Sequence, residues 1–324
     1  MQQDLICILG PTASGKTGAA VALAKRMNGE VLSADSVQVY RGMDIGSAKP
    51  TPEEMQGIPH HMIDCMDIDS PGFSVSAFFE MASLCIKEIQ SRGKQVILAG
   101  GSGLYVNSLT RPLNFAIPAD EGIREKLEKL YDLDRQRAYE QLFQVDPSTA
   151  SRLHPNDKKR IVRALEVFEA GGKPLSAYGN DFQNTRENPP PFTSFRFCLT
   201  MDRALLYERI NRRVDFMMEA GLLQEARRIF DAGYDPDLPA MQSIGYQQLF
   251  SHFRGECSLE EAVEQIKMDT RRFAKRQFTW FRRDPNLVWI DVTEHCGDSE
   301  WIAEQIVKEL DHISEDIHGT SHLG

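Results

Sequence analysis

The sequence predicts an α/β fold: a parallel-sheet core carrying a phosphate-binding loop (P-loop), with a helical insertion domain and C-terminal helices. Three observations predict it. The run LICIL at residues 5–9 is apolar throughout, as a strand buried on both faces of a parallel sheet must be. The octapeptide GPTASGKT at 10–17 follows it and matches G-x-x-x-x-G-K-[ST] at every fixed position. From about residue 118 to 174 strand signals give way to helical periodicity, and a strand pattern returns only at 195–199.

Each element follows from local pattern. An alanine-rich helix with Ala19, Ala20, Val21, Leu23 and Ala24 succeeds the loop, and residues 30–33 read as a second strand ending at Asp35. An acid there stands at the edge where open α/β sheets bind ligands. Residues 41–61 are rich in Gly and Pro and read as an irregular loop. A helix over 74–90 is expected to carry Phe78, Ala82, Cys85 and Ile89 on one side. The apolar run 96–99 makes the next strand, closed by Gly100-Gly101-Ser102-Gly103 and a further helix. Helices are expected over 121–132, 134–143 and 157–170, the last stopped by Gly171-Gly172 and Pro174. Residues 179–191, with three consecutive prolines, read as a linker or mobile loop. Asp202 caps a long helix to 218, and further helices follow over 222–231, 245–253 and 258–283. Residues 287–290 form a last strand, and an acidic amphipathic helix over 299–312 ends the ordered part. The expected domains are 1–115 (first part of the core), 116–190 (helical insertion), 191–312 (core continuation and C-terminal helices) and 313–324 (flexible tail).

Composition bounds the function. Of 324 residues, 41% are hydrophobic and 26% charged, ordinary for a globular protein, and no apolar run approaches a membrane span. No basic and apolar leader precedes the first strand. The six cysteines lie far apart with no C-x-x-C pair, which argues for reduced thiols, no disulfide framework and a cytoplasmic setting. The net charge of −10 is concentrated at the end: residues 291–324 hold nine acids and one base, a net of −8, which leaves −2 for everything before. Local basic surfaces are therefore compatible with the total.

The loop points to phosphate. Gly10 and Gly15 permit backbone angles that let successive amides converge on an anion, and the helix N-terminus adds partial positive charge. Lys16 supplies a full charge, and the Thr17 hydroxyl is placed to ligate Mg2+. Gly10, Pro11, Thr12, Ala13, Ser14, Gly15, Lys16 and Thr17 are the candidate phosphate cradle. Many kinases and nucleotide hydrolases share such a loop. Arg209 and Arg213 lie one turn apart, so they share a helix face, whether for phosphate or for pairing with Glu208 and Asp215. From 271 to 283 there are six bases, Arg271, Arg272, Lys275, Arg276, Arg282 and Arg283, and no acid. A merely solvated face mixes signs, so these bases read as a phosphate-binding surface, while Phe273, Phe278, Trp280 and Phe281 read as its buried side. Lys158, Lys159, Arg160 and Arg163 crowd a helix start, where the macrodipole disfavours cations unless phosphate is near. His60 and His61, adjacent on an extended segment, point to opposite sides and suit hydrogen bonding better than a metal.

Taken together, GPTASGKT, DSVQVYRGMDIGSAKP (35–50), PHHMID (59–64), GGSGLY (100–105) and KRQFTWFRR (275–283) resemble the tRNA dimethylallyltransferase family, in the family's order. The resemblance implies transfer of a dimethylallyl group from dimethylallyl diphosphate to the exocyclic amine of the adenosine directly 3′ of a tRNA anticodon. The loop would then hold the leaving diphosphate with Mg2+. Asp35 is matched to the general base; the alternative is an acid serving the magnesium site. By resemblance Arg213 contacts the diphosphate and Ser102 keeps a hydroxyl where the family often has Thr. The tRNA contacts it implies are Asp35, Ser36, Val37, Gln38, Ser102, Arg124, Lys159, Arg160, Ile161, Val162, Arg163, Gln242, Gly245, Tyr246, Lys275, Arg276, Gln277 and Arg282. Some relatives carry Arg where Gln242 stands, which weakens a charged contact there. A monomer engaging a tRNA anticodon stem-loop and no membrane is expected. The rivals are a small-molecule kinase using ATP, prenyl transfer to free adenine nucleotides, and an RNA-binding nucleotide switch.

Overall fold

The computed structural model describes residues 4–70, 73–112, 120–178 and 189–319, with side chains to Ile313. The chain divides into two compact units, one of residues 1–110 and 191–324 and one of 111–190.

In the larger unit the chain runs through β1 (Leu5–Leu9), α1 (Lys16–Arg26), β2 (Gly29–Ala34), α2 (Pro52–Met55), β3 (His60–His61), α3 (Val75–Ser91), β4 (Gln95–Gly100) and α4 (Gly103–Thr110). The smaller unit contributes α5 (Glu121–Leu133), α6 (Arg135–Val145), α7 (Pro147–Ala150) and α8 (Lys158–Gly171). The larger unit then resumes with β5 (Ser194–Thr200), α9 (Arg203–Glu219), α10 (Leu222–Asp231), α11 (Tyr246–Phe253), α12 (Leu259–Phe281), β6 (Val288–Asp291) and α13 (Ser299–Gly319).

The sheet has six strands in the order β3-β2-β4-β1-β5-β6, every neighbouring pair parallel. All C-terminal strand ends therefore share one edge, which receives the loop after β1, Asp35 after β2 and Gly101 after β4. β1 lies between β4 and β5 and is buried at every residue, which is why its sequence is apolar without alternation. Ile6, Ile8, Val31 and Ile97 pack on one face with the alanines of α1 and with Ile302 and Ile306 of α13. Leu5, Cys7, Leu32 and Leu98 pack on the other with Phe78, Ile86 and Ile89 of α3. The C-terminal helices close a separate core around Val214, Ile229, Tyr246, Leu249 and Ile266.

Three local expectations are adjusted. α3 adds Ile86 to the expected side: Phe78, Ala82, Ile86 and Ile89 are buried, and Cys85 is half-buried against the same core. The histidine pair forms a strand, β3, where a loop was expected; two residues carry no period to read. α13 runs on to Gly319, past residue 312. The expected linker at 179–188 and the last residues of the tail, 320–324, lie outside the described residues.

The smaller unit has its own core, in which Ile161, Val162 and Leu165 of α8 meet Leu127, Tyr131, Ala138 and Leu142. Among its described residues there is no strand, in agreement with the periodicity. Glu166 is fully buried there and takes hydrogen bonds from Arg163 (2.9 Å) and Arg124 (3.0 Å). Burial alone would raise its carboxyl; the two guanidinium bonds outweigh that and hold it below its ordinary range.

Candidate active site

The loop between β1 and α1 is shaped by its glycines. Gly10 has φ +145°, and a Cβ there would stand 3.0 Å from both Leu199 O and Ser14 Oγ. Gly15, at φ +95°, occupies the N-cap of α1 and offers no capping side chain, so the first amides of the helix remain available to an anion. Ala13 holds φ +64°, an uncommon conformation for a residue with a Cβ, and its carbonyl accepts Arg209 Nε at 2.9 Å. Ser14 Oγ is buried and, among the described residues, has no hydrogen-bond partner. A buried hydroxyl without a partner is costly, and this one lies in the loop between two glycines whose φ angles are positive.

Lys16 Nζ bonds Pro11 O at 2.6 Å. Its ammonium is pushed down to about 8, first by burial and then by the Arg213 guanidinium, against the opposing pull of Asp35 and Cys198. Arg213 is likewise lowered, by burial above all, with Asp35 and Glu54 acting the other way. Two cations are thus held at the loop at a desolvation cost, an arrangement that a polyanion would relieve. Cys198, whose thiol burial pushes up to about 12, remains protonated and is a poor nucleophile.

Lys16 and Arg213 open onto one cavity of about 430 Å³. Lys16, Thr17 and Thr12 line one part of its wall and Asp35, Ser36, Val37 and Gln38 another; Arg213, Thr270, Phe273 and Arg276 come from α9 and α12. The floor is the sheet itself. Val31, Ser33 and Ala99 share a face, and His60, in register with Val31, extends it. His60 Nδ1 bonds Ile58 O at 2.9 Å, whereas His61 turns to the other face and meets Glu30 at 2.7 Å.

Asp35 is oriented by its own backbone turn. Its Oδ1 accepts the amides of Val37 (2.8 Å) and Gln38 (3.3 Å). Among the described residues Oδ2 takes no hydrogen bond, so it is available to a substrate proton. Gln38 is held in turn: its Oε1 accepts Ser33 Oγ at 2.8 Å, and its Nε2 donates to Ala48 O at 3.1 Å. The cavity therefore brings a cationic anion site and a poised carboxylate together.

The IPP transferase family model matches residues 38–284. The chain belongs to the IPP transferase family. It is 46% identical over 309 residues to the tRNA dimethylallyltransferase of Acetivibrio thermocellus, covering 95% of this chain and 96% of that one. The crystal structure of the tRNA isopentenylpyrophosphate transferase of Bacillus halodurans is similar at 42% identity and TM-score 0.70, covering 97% and 99% of the two chains. A eukaryotic dimethylallyltransferase acting on tRNA superposes at TM-score 0.81 with 29% identity, covering 96% of this chain and 79% of that one.

Gly245 and Gln242 line the cavity with Asp35 to Gln38, and Gln242 Nε2 is bonded to Pro236 O at 2.7 Å. Arg209 and Arg213 do share a face, and neither meets Glu208 or Asp215 in a salt bridge; Asp215 pairs with Lys267 at 2.8 Å. Ser102 lies at the sheet edge beside Gly101, its amide on Ala34 O at 3.2 Å, at the head of α4.

Four of the residues expected to meet tRNA have buried side chains. Tyr246 is fully buried and gives its hydroxyl to Glu225 at 2.6 Å. Ile161 and Val162 are core residues of the smaller unit, as helical spacing beside a basic face requires. Gln277 is buried with both ends of its amide committed, Oε1 to Thr12 N (2.9 Å) and Nε2 to Gly101 O (3.1 Å), so it braces the loop against β4.

The bases also sort themselves. Lys158 pairs with Asp132 at 2.7 Å and Arg160 with Asp157 at 3.3 Å, and the Asp157 cap relieves the basic helix start. Lys159 is exposed and, among the described residues, without an ion pair. On α12 Lys275 is exposed, while Arg282, just past its end, lies over the Phe278 ring at 5.7 Å. Of the aromatics expected inside, only Phe281 is buried; Phe273 lines the cavity and Trp280 is 37% exposed. Glu225 escaped the sequence reading, since an acid on an amphipathic helix has no signal of its own.

Proposed function

We propose that this chain transfers a dimethylallyl group from dimethylallyl diphosphate to the exocyclic amine of the tRNA adenosine 3′-adjacent to the anticodon. The observation that carries this reading is the single cavity lined by both Lys16 and Asp35. The amine nitrogen attacks the allylic carbon, the carbon–oxygen bond to diphosphate breaks, and the diphosphate leaves with the bonding pair. Asp35 Oδ2 takes the amine proton as its nitrogen becomes positive. Loop amides, Lys16 and Arg213 hold the charge that develops on the leaving group. The partnerless Ser14 hydroxyl and the uncapped start of α1 fit such a group. Thr17 would hold Mg2+, with the diphosphate and water supplying the remaining ligands; the ion would help neutralise the leaving group. The purine must leave its stack to enter the cavity. With donor and base bound, the sheet floor and α9 would cover one side of an allylic cation-like centre against water.

The test is labelled dimethylallyl diphosphate with unmodified tRNA, with and without Mg2+, beside ATP. Label is expected in tRNA and no phosphoryl transfer from ATP. Turnover of ATP onto a small acceptor, without prenyl transfer, would overturn the reading in favour of the kinase.

Lys16 sets a pH dependence. In the free protein its ammonium is lost as pH rises through about 8, and the neutral amine no longer attracts diphosphate. kcat/KM for the donor is therefore expected to fall as pH rises above about 8, and the fall should vanish in Lys16→Arg if that variant retains activity.

The tRNA-facing role is assigned to Lys159 and Arg160 on the smaller unit, and to Lys275 and Arg282. Lys159→Ala and Lys275→Ala are each expected to weaken tRNA binding. Each should also lower the slope of log affinity against log salt by roughly 0.7–0.9, read by filter binding across a salt series. An unchanged slope would remove that residue from the interface.

A further inference from the structure

Glu225 is a buried carboxylate with no ion pair among the described residues. It is held instead by four donors. The amides of Asp44 (2.9 Å), Ile45 (2.9 Å) and Gly46 (3.0 Å) point at it in succession, and the Tyr246 hydroxyl closes the set at 2.6 Å. Three consecutive amides around one anion form a nest, normally a binding device for a ligand; here the protein fills it with its own side chain. One turn on, Arg228 grips Gly42 O at 2.8 Å. Gly46 lies so close to the Tyr246 ring that a Cβ there would come within 2.5 Å of it.

The loop pinned in this way ends at Ser47 and Ala48, whose carbonyls take Gln38 Nε2 at 3.5 and 3.1 Å. Gln38 in turn donates its amide to Asp35 Oδ1. An unbroken run of hydrogen bonds and backbone thus leads from α10 to the carboxylate in the cavity.

We propose that Glu225 is a positioning residue that sets the 44–48 loop, and through it the orientation of Gln38 and Asp35 toward the acceptor base. The proposal rests on the transfer reading above and adds to it a control point outside the cavity wall. Glu225→Gln is nearly isosteric but turns an NH2 toward an N–H, leaving donors unmatched. Single-turnover transfer is expected to fall by roughly 10–100-fold, the range typical when a supporting hydrogen-bond partner is lost. Affinity for inorganic diphosphate should be unchanged, because the loop at 10–17 is untouched. Glu225→Asp should recover part of the rate, and Tyr246→Phe, which removes one donor of four, should show a smaller loss of the same kind. In a double-mutant cycle with Gln38→Ala the losses should be strongly non-additive.

Wild-type rates in Glu225→Gln would overturn the proposal, as would additive losses with Gln38→Ala. A drop in diphosphate affinity that tracks a drop in Tm would show a general structural role instead. If Glu225→Gln does not fold, Tyr246→Phe carries the same cycle. Failure of the wild-type protein itself to prenylate tRNA would sink the transfer reading, a separate result from any of these.

Discussion

Asp35→Asn is expected to lower the single-turnover rate of prenyl transfer by roughly 10²–10⁴-fold, the usual contribution of a positioned proton acceptor. The substitution is chosen because it spares the geometry. Asn keeps an oxygen to accept the Val37 and Gln38 amides that Asp35 Oδ1 now accepts. What changes is the second atom, which becomes an NH2 and can no longer take a proton from the acceptor amine. Binding of tRNA, measured by filter retention, and Tm should both stay close to wild type. A rate near wild type would assign the proton to another group and return Asp35 to service of the magnesium site.

Lys16→Met is expected to cost roughly 10²–10³-fold in kcat, the scale of losing one donor to a developing oxyanion. Arg213 and the loop amides remain, so activity should not vanish. The same substitution should not lower the stability of the ligand-free protein near neutral pH, and should raise it. Lys16 is lowered to about 8 in the fold from 10.5, so between those values the unfolded chain binds more protons. Wild-type stability therefore rises with pH across that window, and below it the fold carries the full cost of a buried cation. Met keeps the packing and sheds that cost, so its advantage in Tm should be largest below pH 8 and narrow above. A lower Tm at pH 7 would mean that the Pro11 O bond to Lys16 outweighs the desolvation of its ammonium.

How much was legible beforehand depends on the range of the interaction. The loop at 10–17, its strand and its helix are local, and the pattern of Gly10, Gly15, Lys16 and Thr17 states their geometry outright. Asp35 was legible because a strand end places it at the sheet edge. The bonds of Gln277, by contrast, were not legible, since its partners Thr12 and Gly101 are far away in the chain. The Tyr246 bond was hidden for the same reason: nothing near it in sequence announces Glu225. Ile161 and Val162 fell into the expected interface only because they stand between bases, and helical periodicity turns them inward.

The amino-acid order alone determined the parallel α/β core, the anion loop, the helical insertion and the family, because each rests on residues close enough in sequence to share one element. Only the tertiary structure decided which side chains meet. It lowered Lys16 by burying it and, second, by bringing the Arg213 charge near it, left one oxygen of Asp35 available, and gave the nest at 44–46 to Glu225. Burial and charge–charge proximity between distant segments set those outcomes, and they exist only once the sheet edge has gathered α9, α10 and α12 around it.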